Sequence, residues 1–323
     1  EMQRSLVGSE MCIRDSMYIE YRSIVDMNNI IVKNLQKLPH DIDLVVGIPR
    51  SGMLPANLIA LYLNKPFTDI DSFLKKRIYS SGERGAFIDF KGSGKILVVD
   101  DSIGSGHALH EAKNKLANIS EEFSLKYVVI FATLKGTKLV DYYFEVIDSP
   151  RIFQWNIFHH KTYIPHSCFD IDGVLCQNPP FDDDGPVYSE YLANAEPLYI
   201  PSLKIDTLVT CRLEKYRSIT ETWLRKNNVK YNKMIMLDFK TKEERQAWGK
   251  HGEYKGHIYR KSDNILFVES SLNEAITISK ISNKPVFCTE NFEMIIYNSG
   301  VKKSLYGIKL MAKKMLQMIN LKI

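Results

Sequence analysis

Two stretches of the chain set paired carboxylates at the end of an apolar run. In "VVDDSIGSGHA" (98–108), Asp100 and Asp101 follow aliphatic residues and precede Ser102, Ile103, Gly104, Ser105, Gly106 and His107, a segment with little side-chain bulk. It reads as a loop, Ser102 to His107, feeding a helix whose unpaired N–H groups and dipole favour an anion. A phosphate suits that loop, and the carboxylates cannot be its ligands. The acids either accept hydrogen bonds from hydroxyls of the same ligand or hold its metal, and a sugar phosphate satisfies both. Taken alone, the pattern is more simply a strand-to-helix turn whose acids cap the helix.

The second stretch, "FDIDGVL" (169–175), places Asp170 and Asp172 two positions apart at the end of a strand, where both point to one side. One such acid can attack a phosphorus while the other protonates the leaving oxygen. Acid pairs of this kind also bind metals with no chemistry of their own. Gly173 permits a sharp departure of the chain.

Parallel sheets are the elements that would hold these acids. From Met17 the pattern predicts a helix near 21–36, a strand at 43–48, a helix at 55–63, a strand at 95–100, a helix at 106–117 and a strand at 126–132. Near-continuous apolar strands separated by helices predict a parallel sheet covered on both faces. After an aromatic and histidine-rich stretch (151–166) the alternation restarts, with strands at 167–171, 206–211, 233–237, 264–269 and 285–288 and helices at 214–227 and 271–281. The expected fold class is α/β, with two parallel-sheet, Rossmann-like domains over 17–163 and 164–323. Residues 1–16 match neither period and resemble a translated sequencing adaptor, so they are expected to form a non-native or disordered leader before a start at Met17.

A further element supports the first site. "LVVGIPRSGMLPANLIA" (44–60) is an apolar strand, then "GIPRSG", then a helix. In this order the two elements resemble the pyrophosphate loop and the phosphoribosyl pyrophosphate (PRPP) motif of type I phosphoribosyltransferases. The resemblance implies that Arg50, Ser51 and Gly52 bind pyrophosphate. It also implies that Asp100 and Asp101 contact the ribose hydroxyls, and that Ser102 to His107 hold the 5′-phosphate. The basic, glycine-punctuated stretch 74–95 takes the place of the family's flexible catalytic loop. There Lys75, Lys76 and Arg77 are candidate pyrophosphate ligands, or else a solvated basic edge. The family's variable hood is assigned to the N-terminal segment and "IFQWNIFHH" (152–160), where Phe153, Trp155 and Phe158 either stack on a base or simply pack. The implied chemistry is displacement at the anomeric carbon with Mg-pyrophosphate leaving and a nucleobase, purine-like in the favoured case, attacking. Dimers are frequent in the family, which implies a homodimer here.

The string around Asp170 resembles motif one of the haloacid dehalogenase superfamily, mostly Mg2+-dependent phosphatases that pass through an aspartyl phosphate. That resemblance implies catalytic roles for Asp170, Asp172, Thr210 and Lys255 (Lys261 being the weaker choice for the lysine). It implies metal ligation by Asp170, Asp172 and Glu269, with Glu274 five positions on. Glu269-Ser270-Ser271 departs from the usual aspartate, and the stretch before Thr210 is too short for a large cap. The reading is a bifunctional nucleotide-metabolism enzyme: a PRPP-dependent transferase joined to a phosphatase acting on its product or another phosphate monoester. The alternatives are a PRPP-binding regulatory protein with a degenerate second domain, or a phosphatase for an unrelated sugar phosphate.

Bulk properties agree. The 323 residues are 45% hydrophobic and 25% charged with a formal net charge of +5, which suits a protein handling small anions better than a nucleic-acid binder. Cys12, Cys168, Cys176, Cys211 and Cys288 include no CxxC pair, so neither a zinc site nor a disulfide framework is indicated and a reducing cytoplasm is expected. No run of apolar residues is long enough to span a bilayer. The basic amphipathic end, "YGIKLMAKKMLQMINLKI" (306–323), reads as a docked helix more readily than as a membrane anchor.

Overall fold

The computed structural model describes residues 19–79, 94–119, 122–180 and 185–297. The expected leader with Met17, residues 80–93 of the expected catalytic loop, and the basic terminal helix lie outside the described residues. The chain divides into two compact units, Glu20–Trp155 and one beginning at Asn156, a division ahead of Tyr163. Among the described residues no helix is long and apolar enough to cross a membrane.

In the first unit β2 (Ile42–Gly47), β3 (Phe67–Asp69), β4 (Lys95–Ile103), β5 (Ser124–Ala132) and β6 (Tyr142–Val146) form a parallel sheet in the order β3-β2-β4-β5-β6. Both faces of these strands are apolar, and alternation divides their side chains between two cores. Val45, Leu97, Val99, Val128 and Ile130 meet α1 (Ile24–Asn34) and α2 (Met53–Leu63) through Met27, Ile31, Ala56 and Ile59. Leu44, Val46, Ile96, Val98 and Ile103 meet α3 (Ile70–Leu74) and α4 (His107–Lys115) through Ile70, Phe73, Leu109 and Ala112. A capping box between Ser23 and Asp26 starts α1. Two three-residue strands, β1 (Glu20–Arg22) and β7 (Arg151–Phe153), pair in parallel as a separate ribbon. The sequence period does not show β1, β3, β6 and β7, because at three to five residues they are too short to display one.

The second unit holds β8 (Ser167–Phe169), β9 (Ile205–Leu213), β10 (Tyr231–Leu237), β11 (Leu266–Glu269), β12 (Val286–Cys288) and β13 (Glu293–Ile295) in the order β10-β9-β8-β11-β12-β13. All pairs are parallel except β12 with β13, so the sheet is parallel but for one edge strand. Between β8 and β9 the described residues hold one helix, α5 (Pro186–Asn194). Beyond β9 come α6 (Arg217–Lys226), α7 (Lys242–Trp248), α8 (His251–Lys261) and α9 (Leu272–Ser282). Gly252 and Gly256 let α8 lie close on α9: an added Cβ would sit 3.1 Å from Thr277 Cβ and 3.0 Å from Ile281 Cβ respectively. That close approach carries Lys255 into the interior.

Candidate active sites

The first unit's sheet reverses its strand order between β2 and β4, since β2 leads to β3 on one side while β4 continues to β5 and β6 on the other. Open parallel sheets bind ligands at the carboxyl ends of the strands flanking such a reversal. Arg50, Ser51 and Gly52 follow β2 there, and Asp100 and Asp101 lie in β4 beside them. The two segments touch: Ser51 Oγ donates to Asp101 Oδ1 at 2.8 Å. A Cβ on Gly52 would meet Ile48 O at 2.6 Å and Asp100 Oδ1 and Val99 O at 2.8 Å, so only glycine allows the loop this near. The Pro49–Arg50 peptide is cis.

One boundary differs from expectation. Strand β4 does not stop at the acids but runs to Ile103, because β5 is long enough to keep pairing: Ser102 sits opposite Phe131 and Ile103 opposite Ala132. The Ile103 side chain is therefore core, and the loop shrinks to Gly104, Ser105 and Gly106. Gly106, at φ +85°, precedes the first turn of α4 and has no side chain to cap it, and the His107 N–H makes only a long contact, 3.5 Å, to Ser105 Oγ. A cavity of 440 Å³ lies there, lined by Ser105, Gly106, His107, His110 and Lys113 among others. Lys75, Lys76 and Arg77 follow α3 and are exposed; α3 leaves the carboxyl end of β3, the same sheet edge that carries the acids.

Asp100 and Asp101 are buried side by side, and among the described residues neither pairs with a cation. Burial, and then the Asp101 charge, pushes the Asp100 carboxyl up to about 8. Two buried hard-oxygen acids without a counterion are the donor set that a divalent cation or a pair of ligand hydroxyls would complete, so Mg2+ fits this site. The linkage has a definite sign. A folded-state value above the ordinary 3.8 means that the stability is fully present at low pH and is lost as pH rises through about 8. Asp100→Asn should raise the melting temperature of the ligand-free protein by roughly 3–8 °C at pH 8.5, with the gap narrowing toward pH 5. Paired thermal melts check this, and a gap independent of pH would remove the explanation.

The aromatic residues expected at the acceptor side are placed differently. Phe153 is a core residue, 5% exposed, its ring packed against Phe131 (5.2 Å) and Trp155 (4.7 Å), so burial leaves it no surface to offer a base. Phe158 belongs to the second unit, stacked on Tyr199 at 4.7 Å. Trp155 is half-buried, and its indole Nε1 donates to Asp101 Oδ2 at 2.7 Å.

The second unit reverses strand order between β8 and β11, and its acids stand there. Asp170 follows β8, with its backbone N–H donating to Val268 O at 3.0 Å, and Glu269 ends β11. Lys255, delivered by α8, donates from Nζ to Asp170 Oδ2 (2.6 Å), Glu269 Oε2 (2.8 Å) and Glu274 Oε2 (2.7 Å). Lys261, the weaker choice, is exposed at the end of the same helix. Burial pushes the Asp170 carboxyl well up against the opposing pull of Lys255, with Glu269 and Asp172 adding to the rise. The Lys255 ammonium is held above its usual value despite burial because Asp170 and Glu269 surround it. The serines of Glu269-Ser270-Ser271 have local work. Their backbone N–H groups donate to Glu269 Oε1 at 2.8 and 3.2 Å, and Ser271 caps α9.

Asp172 does not join the cluster. Arg212, 1% exposed, grips it through Nε to Oδ2 (2.9 Å) and Nη2 to Oδ1 (2.7 Å), and also donates to Thr220 Oγ1 at 3.2 Å. With Asp172 on Arg212, and Asp170 and Glu269 on Lys255, the three side chains expected to ligate Mg2+ do not converge. Among the described residues no group of three His, Cys, Asp or Glu side chains is placed to hold a metal ion. The second unit therefore does not fit the expected three-side-chain metal site. Asp170, Asp172, Thr210, Arg212, Lys255 and Glu269 nonetheless line one cavity of 620 Å³ with others. Arg212 escaped the sequence reading, although its signal was present: two positions after Thr210 on an apolar strand, it faces the same way.

Residues 17–166, which include the whole first unit and run on to His166, match the phosphoribosyl transferase domain family. Among solved structures, the chain is similar to a purine phosphoribosyltransferase from Pyrococcus horikoshii Ot3, at 20% identity over 42% of this chain and 92% of that one, with a TM-score of 0.31. It is similar also to the xanthine-guanine-hypoxanthine phosphoribosyltransferase of Helicobacter pylori, at 15% identity over 43% and 95% of the two chains, TM-score 0.35. For the orotate phosphoribosyltransferase of Aeropyrum pernix the values are 17%, 37%, 68% and 0.27. No curated protein matches the chain. The joined loops at the first switch point lie within residues 17–166, the stretch that matches the phosphoribosyl transferase domain family.

Proposed function

We propose that the first unit transfers phosphoribose from PRPP to a nucleobase. The observation that carries this reading is the joining of the Arg50-Ser51-Gly52 loop to Asp100 and Asp101 at the strand reversal. The acceptor nitrogen attacks the anomeric carbon, and the bond to pyrophosphate breaks with its electron pair leaving on the phosphate oxygen. The acceptor nitrogen gives up its proton to water. Arg50 supplies positive charge to the leaving group, and Gly52 admits it to the backbone. Lys75, Lys76 and Arg77 stand on the same edge for the same purpose. Asp100 and Asp101 accept hydrogen bonds from the ribose hydroxyls, and the N–H groups after Gly106 take the 5′-phosphate. Mg2+, which Asp100 and Asp101 would help to hold, offsets the charge of the leaving pyrophosphate when bound. Trp155, an aromatic beside the acids, supports a planar acceptor of purine-like type.

For the second unit, the gathering of Asp170, Lys255, Glu269 and Glu274 in one cavity favours phosphoryl chemistry on a phosphate monoester, in the manner of the haloacid dehalogenase superfamily. Asp170 attacks the phosphorus, the ester P–O bond breaks with its electron pair on the leaving oxygen, which takes a proton from water, and a second water hydrolyses the aspartyl phosphate to release phosphate; Lys255 and the Thr210 hydroxyl meet phosphate oxygens, and no step is assigned to a metal there. A phosphorus NMR time course of the full chain with PRPP, Mg2+ and a pool of nucleobases tests both readings. Pyrophosphate and a base-dependent monophosphate should appear, with the monophosphate accumulating in Asp170→Asn and being dephosphorylated by the wild type. PRPP left intact with every base would end the first reading. A monophosphate equally persistent in both proteins would end the second unit's link to the product.

A further inference from the structure

Asp101 is buried at the strand reversal, 5% exposed, and each of its oxygens is already engaged from a different part of the chain. Oδ1 accepts from Ser51 Oγ at 2.8 Å and Oδ2 from Trp155 Nε1 at 2.7 Å. Asp100 has no comparable support, since its Oδ1 accepts the neighbouring Asp101 backbone N–H at 2.9 Å. Trp155 is itself held rigidly. Its ring lies 4.7 Å from Phe153 at an interplanar angle of 7°, and Phe153 stacks in turn on Phe131 of β5. Phe153 is the last residue of β7, which is tied to the amino-terminal strand by Glu20 opposite Arg151 and Arg22 opposite Phe153. Gln154, between the two aromatics, accepts the backbone N–H of Ile24 at 2.7 Å. The indole edge thus comes from a scaffold built by the two ends of the unit and points at one carboxylate oxygen.

We propose that Trp155 is a positioning residue for the ribose-binding acid: its indole N–H, with the Ser51 hydroxyl, locks the Asp101 carboxylate in the orientation that receives the PRPP ribose. This rests on the reading of the first unit as a PRPP site. The physical basis is direct. Each carboxylate oxygen has a second lone pair, and fixing one lone pair on a rigid donor aims the other. A carboxylate free to rotate would have to be ordered when the ligand arrives, which weakens binding. Because the locked group touches the ribose side, the effect falls on PRPP affinity and is visible with no acceptor present.

The test is PRPP binding by the full-length protein in Mg2+, followed by isothermal titration and by thermal protection, for the wild type, Trp155→Phe, Trp155→His and Ser51→Ala. Phenylalanine keeps an aromatic ring for the stack and removes the donor; histidine restores a ring N–H. Trp155→Phe should weaken PRPP binding by about 10- to 30-fold, the range of a lost hydrogen bond to a charged group. Trp155→His should recover part of that loss, and Ser51→Ala should weaken binding by a similar factor. The melting temperature without ligand should stay near that of the wild type. Unchanged PRPP affinity in Trp155→Phe would overturn the proposal. Weakening that histidine does not relieve at all, with a matching fall in melting temperature, would overturn it too, because it would show packing alone. Failure of the wild type to bind PRPP would overturn instead the reading on which the proposal rests.

Discussion

Asp101→Asn should lower the kcat/KM for PRPP by roughly 100- to 1000-fold while leaving the fold intact. The carboxylate has two roles that the amide cannot fill. As an anion it accepts strong hydrogen bonds from ribose hydroxyls, each worth about 1.5–3 kcal/mol when one partner is charged. It also accepts from both Ser51 and Trp155, and an amide presents an oxygen to only one of them, turning an NH2 toward the other donor. One ligand bond lost and one donor opposed amount to about 3–4 kcal/mol in the transition state, which is the range given. The measurement is initial-rate pyrophosphate release with PRPP varied. Retention of more than a tenth of the wild-type value would show that Asp101 is a capping residue of the turn and not a ribose ligand. Asp100→Asn should be nearly as inactive, and its distinct signature is the pH-dependent gain in melting temperature described above.

Lys255→Met is expected to have the largest effect on stability. The ammonium is 3% exposed and lies within 2.8 Å of oxygens from Asp170, Glu269 and Glu274. Methionine fills most of the volume but leaves Asp170 and Glu269 facing each other out of water, with the part-exposed Glu274 beside them. Removing one partner of a buried ion pair costs about 3–5 kcal/mol. The loss should be greatest near neutral pH and should shrink toward pH 4, because the orphaned Asp170 carboxyl, pushed up by burial, then takes up a proton. Urea unfolding followed at several pH values checks both statements. A loss under 1 kcal/mol, or one that does not vary with pH, would mean that the acids are relieved in another way and that the cluster is not the electrostatic centre of the second unit.

Much of the architecture was legible before any coordinates. The strand runs at 43–48 and 95–100 were visible because both faces of a buried parallel strand are apolar, which leaves an unbroken aliphatic string. The two acid pairs stood out because charge at the end of such a string has no packing reason to be there. Short elements were not legible. Three residues at β7 show no period, and α8 has a mixed surface because one side of it carries a lysine inward, which hydropathy reads as solvent. The extension of β4 through Ile103 depended on the length of β5, a property of the partner strand.

The sequence by itself determined the α/β class with parallel sheets and the place of an acid pair at a strand end in each half, since these follow from local period and residue type. Tertiary structure alone decided which charges meet. Asp172 was read as an acid beside Asp170, but a buried arginine 40 positions away takes it. Phe153 was read as a surface for a base, but its ring is buried in the core beside Phe131 and Trp155. Trp155 finds Asp101 across 54 positions through a strand pair and a ring stack. Hydrogen bonds and ion pairs act over a few ångströms, so the partner of a side chain is set by what the fold brings to that distance, and spacing along the chain carries no record of it.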